Sequence, residues 1–325
     1  MKPAAHIRSC EEPPRDLLGS HMSIAGGVEL APARGRMLGC SAIQIFTKSN
    51  RQWSGPPISD EGARKFREAM AEGVVHAVFA HSTYLINMAA VDRGYVEKSV
   101  NALVDELERC ELLGVPGLVL HPGAHMGVGE KEGIRAIAKN LKTALRRTKG
   151  CRAAVYLENV AGQGTALGRT FEELAEMRER VGDAERIAFC VDTCHALAGG
   201  YDIRSKSGYE SVMARWDDVI GGQAIRAFHL NDSKKPFDSR RDRHEHIGLG
   251  EVGVTGFHAL LHDPRFKGVP KVLETPKRDD GHEDRANLNV LRKLLGAKRP
   301  PGRRPSWKTP EKIDKAWADR LKRGM

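Results

Sequence analysis

Eight short apolar runs, most of them ending at a His, Glu or Asp, constrain this chain more than any other feature. They are "LLGSHMS" (17–23), "AIQIFTKS" (42–49), "AVFAHST" (77–83), "GLVLHPG" (117–123), "AAVYLENV" (153–160), "IAFCVDT" (187–193), "AIRAFHLND" (224–232) and "PKVLETP" (270–276). Several intervening segments have helical periodicity and charged faces, such as "VEKSVNALVDELERCELLG" (96–114) and "TFEELAEMRERVG" (170–182). Short buried strands alternating with helices predict an α/β chain with a parallel sheet, because a parallel crossover must be long enough to hold a helix. Eight such units match a closed (β/α)8 TIM barrel, a fold that typically takes ~250 residues.

In that fold the C-terminal strand ends carry the active site. His81 ends the third run, His121 the fourth, Glu158 the fifth, Asp192 the sixth, His229 the seventh and Glu274 the eighth. One such residue is ordinary, since a polar tip often satisfies a backbone group. Six at one barrel mouth are costly to bury together unless a cation neutralises them. Oxygen and imidazole donors suit Zn²⁺ or Mn²⁺, and six exceed the roughly four that one tetrahedral zinc takes. Two ions sharing a carboxylate are therefore expected, an arrangement that recurs in phosphoester hydrolysis. Asp242 and His244 lie two apart in the loop after the seventh run, so an extended chain turns both the same way. Asp192 and His195 lie three apart. In an extended chain they face opposite ways and serve different ions, whereas a turn after Thr193 would bring them together.

The motifs "SHMSIAGG", "FTKSNRQW", "FAHSTYLIN", "LHPGAH", "LENVAGQG", "VDTCHALAGGYD", "FHLNDSK", "DRHEHIGLGEVG" and "LETP" resemble the endonuclease IV family of abasic-site DNA repair nucleases. The resemblance spans residues 17–296 and implies a barrel with a trinuclear zinc cluster, with Mn²⁺ an alternative at one site. By resemblance, His81, His121 and Glu158 bind the first ion, Glu158, Asp192, His229 and Glu274 the second, and His195, Asp242 and His244 the third. The implied reaction is hydrolysis of the phosphodiester 5′ to an abasic site in duplex DNA. It leaves a 3′-hydroxyl and a 5′-deoxyribose phosphate, and blocked 3′ ends are trimmed as well. Glu158, which holds the nucleophilic hydroxide between two ions, and Glu274 are then the catalytic carboxylates. The expected DNA contacts are Arg51, Gln52 and Trp53 after the second run, Tyr84 and Leu85 after the third, and Arg243 between two ligands. Side chains of this kind fill the stack when a nucleotide leaves it.

Charge and cysteine content support this reading only weakly. The formal charge is +10, but residues 298–325 carry ten Lys or Arg against three acids, so most of the excess lies in this tail. The tail begins with a Pro/Arg linker; Thr309 and Pro310 then mark a short helix with Ile313, Trp317 and Leu321 on one face. Three regions are expected: an N-terminal extension (1–16), the barrel (17–296) and the basic tail (297–325). The six cysteines include no CxxC pair, and the chain shows no signal peptide or membrane span, so a cytoplasmic protein is expected; the resemblance implies a monomer. Cys194 is read as a packed thiol, and His21, His125 and His246 as partners of the ligands, phosphate contacts, or plain surface or core histidines. Gly248, Gly250 and Gly253 spell GxGxxG, but a charged segment precedes them rather than a strand, so neither a nicotinamide nor a nucleotide cofactor is expected. Two other classes fit part of the pattern. A metal-dependent sugar isomerase or epimerase of the same barrel superfamily is opposed by the "DRH" pair and the "RQW" loop, and a non-catalytic DNA-damage binder needs no complete ligand set.

Overall fold

A computed structural model describes residues 16–278, 281–301, 319–321 and 323–324. All eight apolar runs form strands: β1 (Leu18–Met22), β2 (Ala42–Phe46), β3 (Ala77–His81), β4 (Gly117–Leu120), β5 (Ala154–Glu158), β6 (Ile187–Asp192), β7 (Ile225–His229) and β8 (Lys271–Leu273). Every pairing between them is parallel, and β8 closes onto β1 to complete the barrel. The expected TIM barrel is thus the observed fold.

The alternation of side chains along each strand divides the apolar residues into two layers. Phe79, Val119, Tyr156, Val272 and smaller residues such as Ala42 and Ala188 fill the barrel interior. The outward set, including Ile43, Ile45, Leu118, Val155, Leu157 and Phe189, packs beneath the helices. Glycine serves close approach here: a Cβ on Gly117 would lie 2.0 Å from the Tyr156 ring. Above the apolar filling, the inward positions at the strand ends become polar with Gln44, His81, Glu158, Asp192 and His229, all buried.

The helices are α1 (Ala31–Leu38), α2 (Asp60–Ala71), α3 (Arg93–Leu113), α4 (Glu130–Arg147), α5 (Phe171–Val181), α6 (Thr193–Ala198), α7 (Lys206–Val219), α8 (Gly253–Leu261) and α9 (His282–Gly296). The two helices read from periodicity are α3 and α5. Asp92 caps α3 by accepting from the Tyr95 amide, and Gly114 ends it at φ 71°. Thr170 and Glu173 form a capping box on α5.

Of the two courses open to the chain after Asp192, the structure takes the turn. The chain does not stay extended past Asp192, because α6 starts at the next residue and Asp192 caps it, Oδ1 accepting from the His195 amide at 2.9 Å. The expected N-terminal extension lies outside the described residues but for Asp16, and so do Thr309, Pro310, Ile313 and Trp317 of the tail. Leu321 is described: it is buried against the core, and its carbonyl accepts from Arg34 Nε at 3.1 Å. No helix among the described residues is long and apolar enough to cross a membrane.

Candidate metal centre

All nine residues expected to bind metal meet at the C-terminal mouth of the barrel. Six come from strand ends or the residue following one, His195 from the first turn of α6, and Asp242 and His244 from the loop after β7. Glu158 is the hub. Its Oε2 lies 3.3 Å from His81 Nε2 and 3.0 Å from His121 Nε2, and its Oε1 lies 2.9 Å from His229 Nδ1 and 3.2 Å from His195 Nδ1. Glu274 Oε2 lies 3.3 Å from His229 Nδ1. Asp242 reaches both His195 Nε2 and His244 Nε2 at 3.2 Å, so Asp242 and His244 do face the same way. Asp192 touches two groups: its Oδ2 is 3.8 Å from His229 Nδ1 and 3.6 Å from His244 Nε2. The turn into α6 therefore brings Asp192 beside His195 instead of separating them.

Donor atoms within 4.8 Å of one another form sets able to hold an ion: His81, His121 and Glu158; Glu158, Asp192, His229 and Glu274; Asp192, His195 and His244; and Cys194, Asp242 and His244. His244 Nε2 tests the fit to a cation. It is buried and has no hydrogen-bond partner, although two carboxylates lie close by. An imidazole nitrogen in that position suits a shared cation.

Hydrogen bonds made outside the cluster determine which ring nitrogen each histidine presents. A carbonyl oxygen can only accept, so a ring nitrogen beside one must carry the proton. His81 Nδ1 donates to Ser82 O at 2.7 Å, His195 Nδ1 to Asn159 O at 2.9 Å and His244 Nδ1 to Glu274 O at 3.1 Å. Each thus turns an Nε2 lone pair inward. His229 is reversed, because its Nε2 donates to Gln44 Oε1 at 2.6 Å and leaves Nδ1 for the cluster. The orientation of the Gln44 amide is itself fixed, since Nε2 donates to Glu274 Oε1 at 2.5 Å and to His21 Nδ1 at 2.8 Å. Outer partners of this type fix the tautomer and raise ligand basicity.

Sequence reasoning missed Gln44, and also two asparagines. Asn159 Oδ1 accepts from the Asp192 amide at 2.7 Å, and Asn231 joins the Asp192 carboxylate (2.6 Å) to the Glu274 amide (2.8 Å). The motifs "LEN" and "HLND" contained that signal, with an amide one residue past strand-end Glu158 and another two past strand-end His229. Of the other histidines, His21 adjoins Glu274 at 3.8 Å, His125 caps its own loop and His246 bonds Asn287. Cys194 is fully buried, and burial pushes its thiol up to about 12.

Electrostatics at the mouth call for positive charge. Burial opposes ionisation of Glu158, yet the imidazoles of His229 and His121 outweigh it and hold the carboxyl well below the usual range. Burial likewise opposes protonation of His195, but Asp192 and Asp242 hold its imidazole well above the ordinary value. His244 is driven up to about 9 by the same carboxylates, against its own burial. Protons or cations must offset these acids, and a metal ion displaces the protons.

The loops expected to meet DNA rim this centre. Arg51, Gln52, Tyr84 and Arg243 are exposed, with Tyr84 at 62 %, and Leu85 is half-buried. Trp53 is half-buried too, its ring 5.4 Å from that of Tyr95 and nearly perpendicular to it, so it supports its loop more than it projects. A cavity of about 450 Å³ opens beside the cluster, bounded by Tyr84, Leu85, Gln163, His195, Asp242 and Arg243.

Comparison with known proteins gives a consistent result. A family described as "Xylose isomerase-like TIM barrel" matches residues 33–294. A protein of Chloroflexus aurantiacus described as "Probable endonuclease 4" is 48% identical over 277 residues, 85% of this chain and 97% of that one. One of Geobacter sulfurreducens with the same description is 47% identical over 280 residues, covering 86% and 95%. The crystal structure of endonuclease IV from Thermus thermophilus superposes with a TM-score of 0.76 at 35% identity, covering 86% of this chain and 98% of that one. A D-tagatose 3-epimerase-like protein at 17% identity and TM-score 0.64 shares the fold alone. The mouth's donor set and these relatives agree: the chain belongs to the endonuclease IV family of xylose isomerase-like TIM barrels.

Proposed function

We propose that this chain is a zinc-dependent DNA repair endonuclease that hydrolyses the phosphodiester on the 5′ side of an abasic site in duplex DNA. The products are a 3′-hydroxyl and a 5′-deoxyribose phosphate, and trimming of blocked 3′ ends belongs to the same reading. The observation that carries it is the convergence of nine oxygen and nitrogen donors on the barrel mouth of a chain in the endonuclease IV family.

His81, His121 and Glu158 would hold one ion, Glu158, Asp192, His229 and Glu274 a second, and His195, Asp242 and His244 a third. The first two sets are supported by donor atoms within 4.8 Å of one another, and the third by the 3.2 Å contacts of Asp242 with both histidines. Bound zinc supplies Lewis-acid polarisation of the phosphate and lowers the pKa of water. The chain's own residues do the remaining work. Ser82, Asn159, Glu274 and Gln44 hold the imidazole protons on the outward nitrogens, so the inward ones stay available as ligands. Arg51, Gln52, Tyr84 and Leu85 meet the duplex at the abasic position, with Trp53 behind them. Arg243 faces a phosphate beside the cavity next to the cluster.

The test is nicking of a duplex that carries one synthetic abasic site, before and after prolonged chelation. Zinc-replete protein should cut on the 5′ side of the site, and chelated protein should not. No cutting by zinc-replete protein would defeat the reading, and cutting unaffected by chelation would remove its metal dependence.

A further inference from the structure

We propose that the buried ion pair of Lys48 and Glu106 is a positioning device that locks the two DNA-contacting loops, residues 49–59 and 82–92, at one spacing across the mouth. The proposal rests on the DNA-cleaving reading above and assigns a role to residues outside the metal centre.

The two loops follow β2 and β3, and α3 stands behind both. Lys48 is 4 % exposed, just past the end of β2. Its ammonium lies 2.7 Å from Asp105 Oδ2 and 3.5 Å from Glu106 Oε1, and it donates to the Trp53 carbonyl at 3.0 Å. Glu106, 1 % exposed, accepts from the Thr83 amide at 3.1 Å. A single pair of charges thus grips the first loop by a carbonyl and the second by an amide. Arg109, one helical turn from Asp105, donates to Asp105 Oδ1 (2.9 Å) and to the carbonyls of Gly55 (2.9 Å) and Thr47 (3.4 Å). At the other end of α3, the Tyr95 hydroxyl donates to Leu85 O at 2.9 Å. The loops also join directly, since Thr83 Oγ1 donates to Asn50 O at 2.6 Å.

These bonds converge on the backbone of the two loops that carry the expected DNA contacts. Arg51 and Gln52 sit between Asn50 and Trp53, and Tyr84 between Thr83 and Leu85. A buried ion pair is a poor source of net stability, because desolvation consumes most of its Coulombic gain. Its best-attested use is to impose one geometry out of several. Two loops that must enter one distorted duplex need a fixed spacing, and any freedom between them would have to be lost on binding.

The test compares the parent with two variants. The pair Lys48→Met with Glu106→Leu removes both charges together and leaves neither member of the pair buried without its partner. Thr83→Val removes only the hydroxyl that joins the loops. Steady-state nicking of the abasic duplex gives KM and kcat, 2-aminopurine opposite the site reports unstacking on binding, and elemental analysis gives bound metal. The expected result is a KM raised about tenfold in the double variant and about threefold in Thr83→Val. The 2-aminopurine signal falls, while kcat stays within about twofold and metal content matches the parent. A folded double variant with unchanged KM and signal overturns the proposal, as does a loss confined to kcat or accompanied by lost metal. If the double variant does not fold, Thr83→Val decides by the same criteria. A parent that fails to nick defeats the cleaving reading itself, which separates that failure from one of this proposal.

Discussion

Gln44 Oε1 accepts a hydrogen bond from His229 Nε2 at 2.6 Å, and so decides that Nδ1 of this histidine faces the cluster. The same amide holds Glu274 through its nitrogen, so one buried side chain of β2 orients two of the proposed ligands, one from β7 and one just after β8. Gln44→Met keeps the volume but removes both bonds. We expect metal affinity to fall by about 10- to 100-fold, the usual effect of removing a residue that orients a ligand, in competition against a chelator of known affinity. Unchanged affinity would mean that packing alone orients His229.

Glu158 contacts four imidazoles through its two oxygens, all between 2.9 and 3.3 Å. Glu158→Gln is nearly isosteric, yet it removes the negative charge and replaces one accepting oxygen with a donor. Nicking should fall by about three orders of magnitude or more, with the circular dichroism spectrum and cooperative melting retained. Undiminished turnover by a metal-loaded variant would sink the assignment of Glu158 to the centre.

Asp232 explains the glycine-rich stretch that follows Asp242 and His244. Its carboxylate accepts from the amides of Gly248 (2.8 Å), Gly250 (3.0 Å), Val252 (2.8 Å) and Ser233 (2.8 Å). The amides of this GxGxxG cradle therefore hold the protein's own anion in place of a ligand's phosphate. A Cβ on Gly250 would lie 2.4 Å from Ser233 O, which is why glycine stands there. Asp232→Asn places an NH2 group against amide donors and should cost about 2–4 kcal/mol in denaturant unfolding. Hydrogen exchange should quicken between residues 234 and 252, a segment that includes Asp242 and His244. Slow exchange there in the variant would show that the loop does not depend on Asp232.

Legibility in the sequence followed chain distance. His81, Glu158, Asp192 and His229 could be read because each ends a strand of its own, and a barrel sends all strand ends to one mouth. Gln44 could not. It sits inside the apolar run "AIQIF", and its partner lies 185 residues away across the barrel. The course of the chain between Asp192 and His195 stayed open for a local reason, because α6 is only six residues long and leaves no periodic signal. The aspartate's role as cap of that helix follows from residue type, but which conformation its neighbours take depends on how the loop packs. Trp53 shows the same limit: the resemblance put it among the expected DNA contacts, and only the fold turned its ring onto Tyr95.

Lys271, buried at the start of β8, donates to the carbonyls of Phe266 (2.7 Å) and Val269 (2.9 Å). Burial pulls its pKa down to about 8 from the ordinary 10.5, against the attraction of Asp16. Between those two values the unfolded chain keeps a proton that the folded chain has released. Stability contributed by this group must therefore rise as pH climbs from 8 to 10.5, by up to about 3 kcal/mol. Urea unfolding of the parent and Lys271→Met at several pH values across this window isolates the contribution, since the variant lacks the rise. A difference between the two that stays flat with pH would show that Lys271 titrates normally.

The C-terminal end of the chain returns to the mouth. Leu321 packs against the core, with its carbonyl on Arg34, whose Nη1 and Nη2 donate to Ser23 and Ala25 in the loop after β1. A cavity of about 510 Å³ separates Leu321 from His21 and Lys277. The ten Lys and Arg between residues 298 and 323 would add charge to the attraction for phosphates in the DNA-cleaving reading. Replacing Lys298, Arg299, Arg303, Arg304 and Lys308 by Gln leaves Leu321 in place and removes only charge. If those residues touch phosphates, the slope of log affinity against log salt should flatten by about 0.9 for each phosphate no longer neutralised. Deleting residues 298–325 should flatten it similarly and also lower stability by about 1–2 kcal/mol, because the buried leucine goes with the tail. An unchanged slope in both variants would confine the tail to a structural role, and the stability decrease on deletion would then be its only measurable effect.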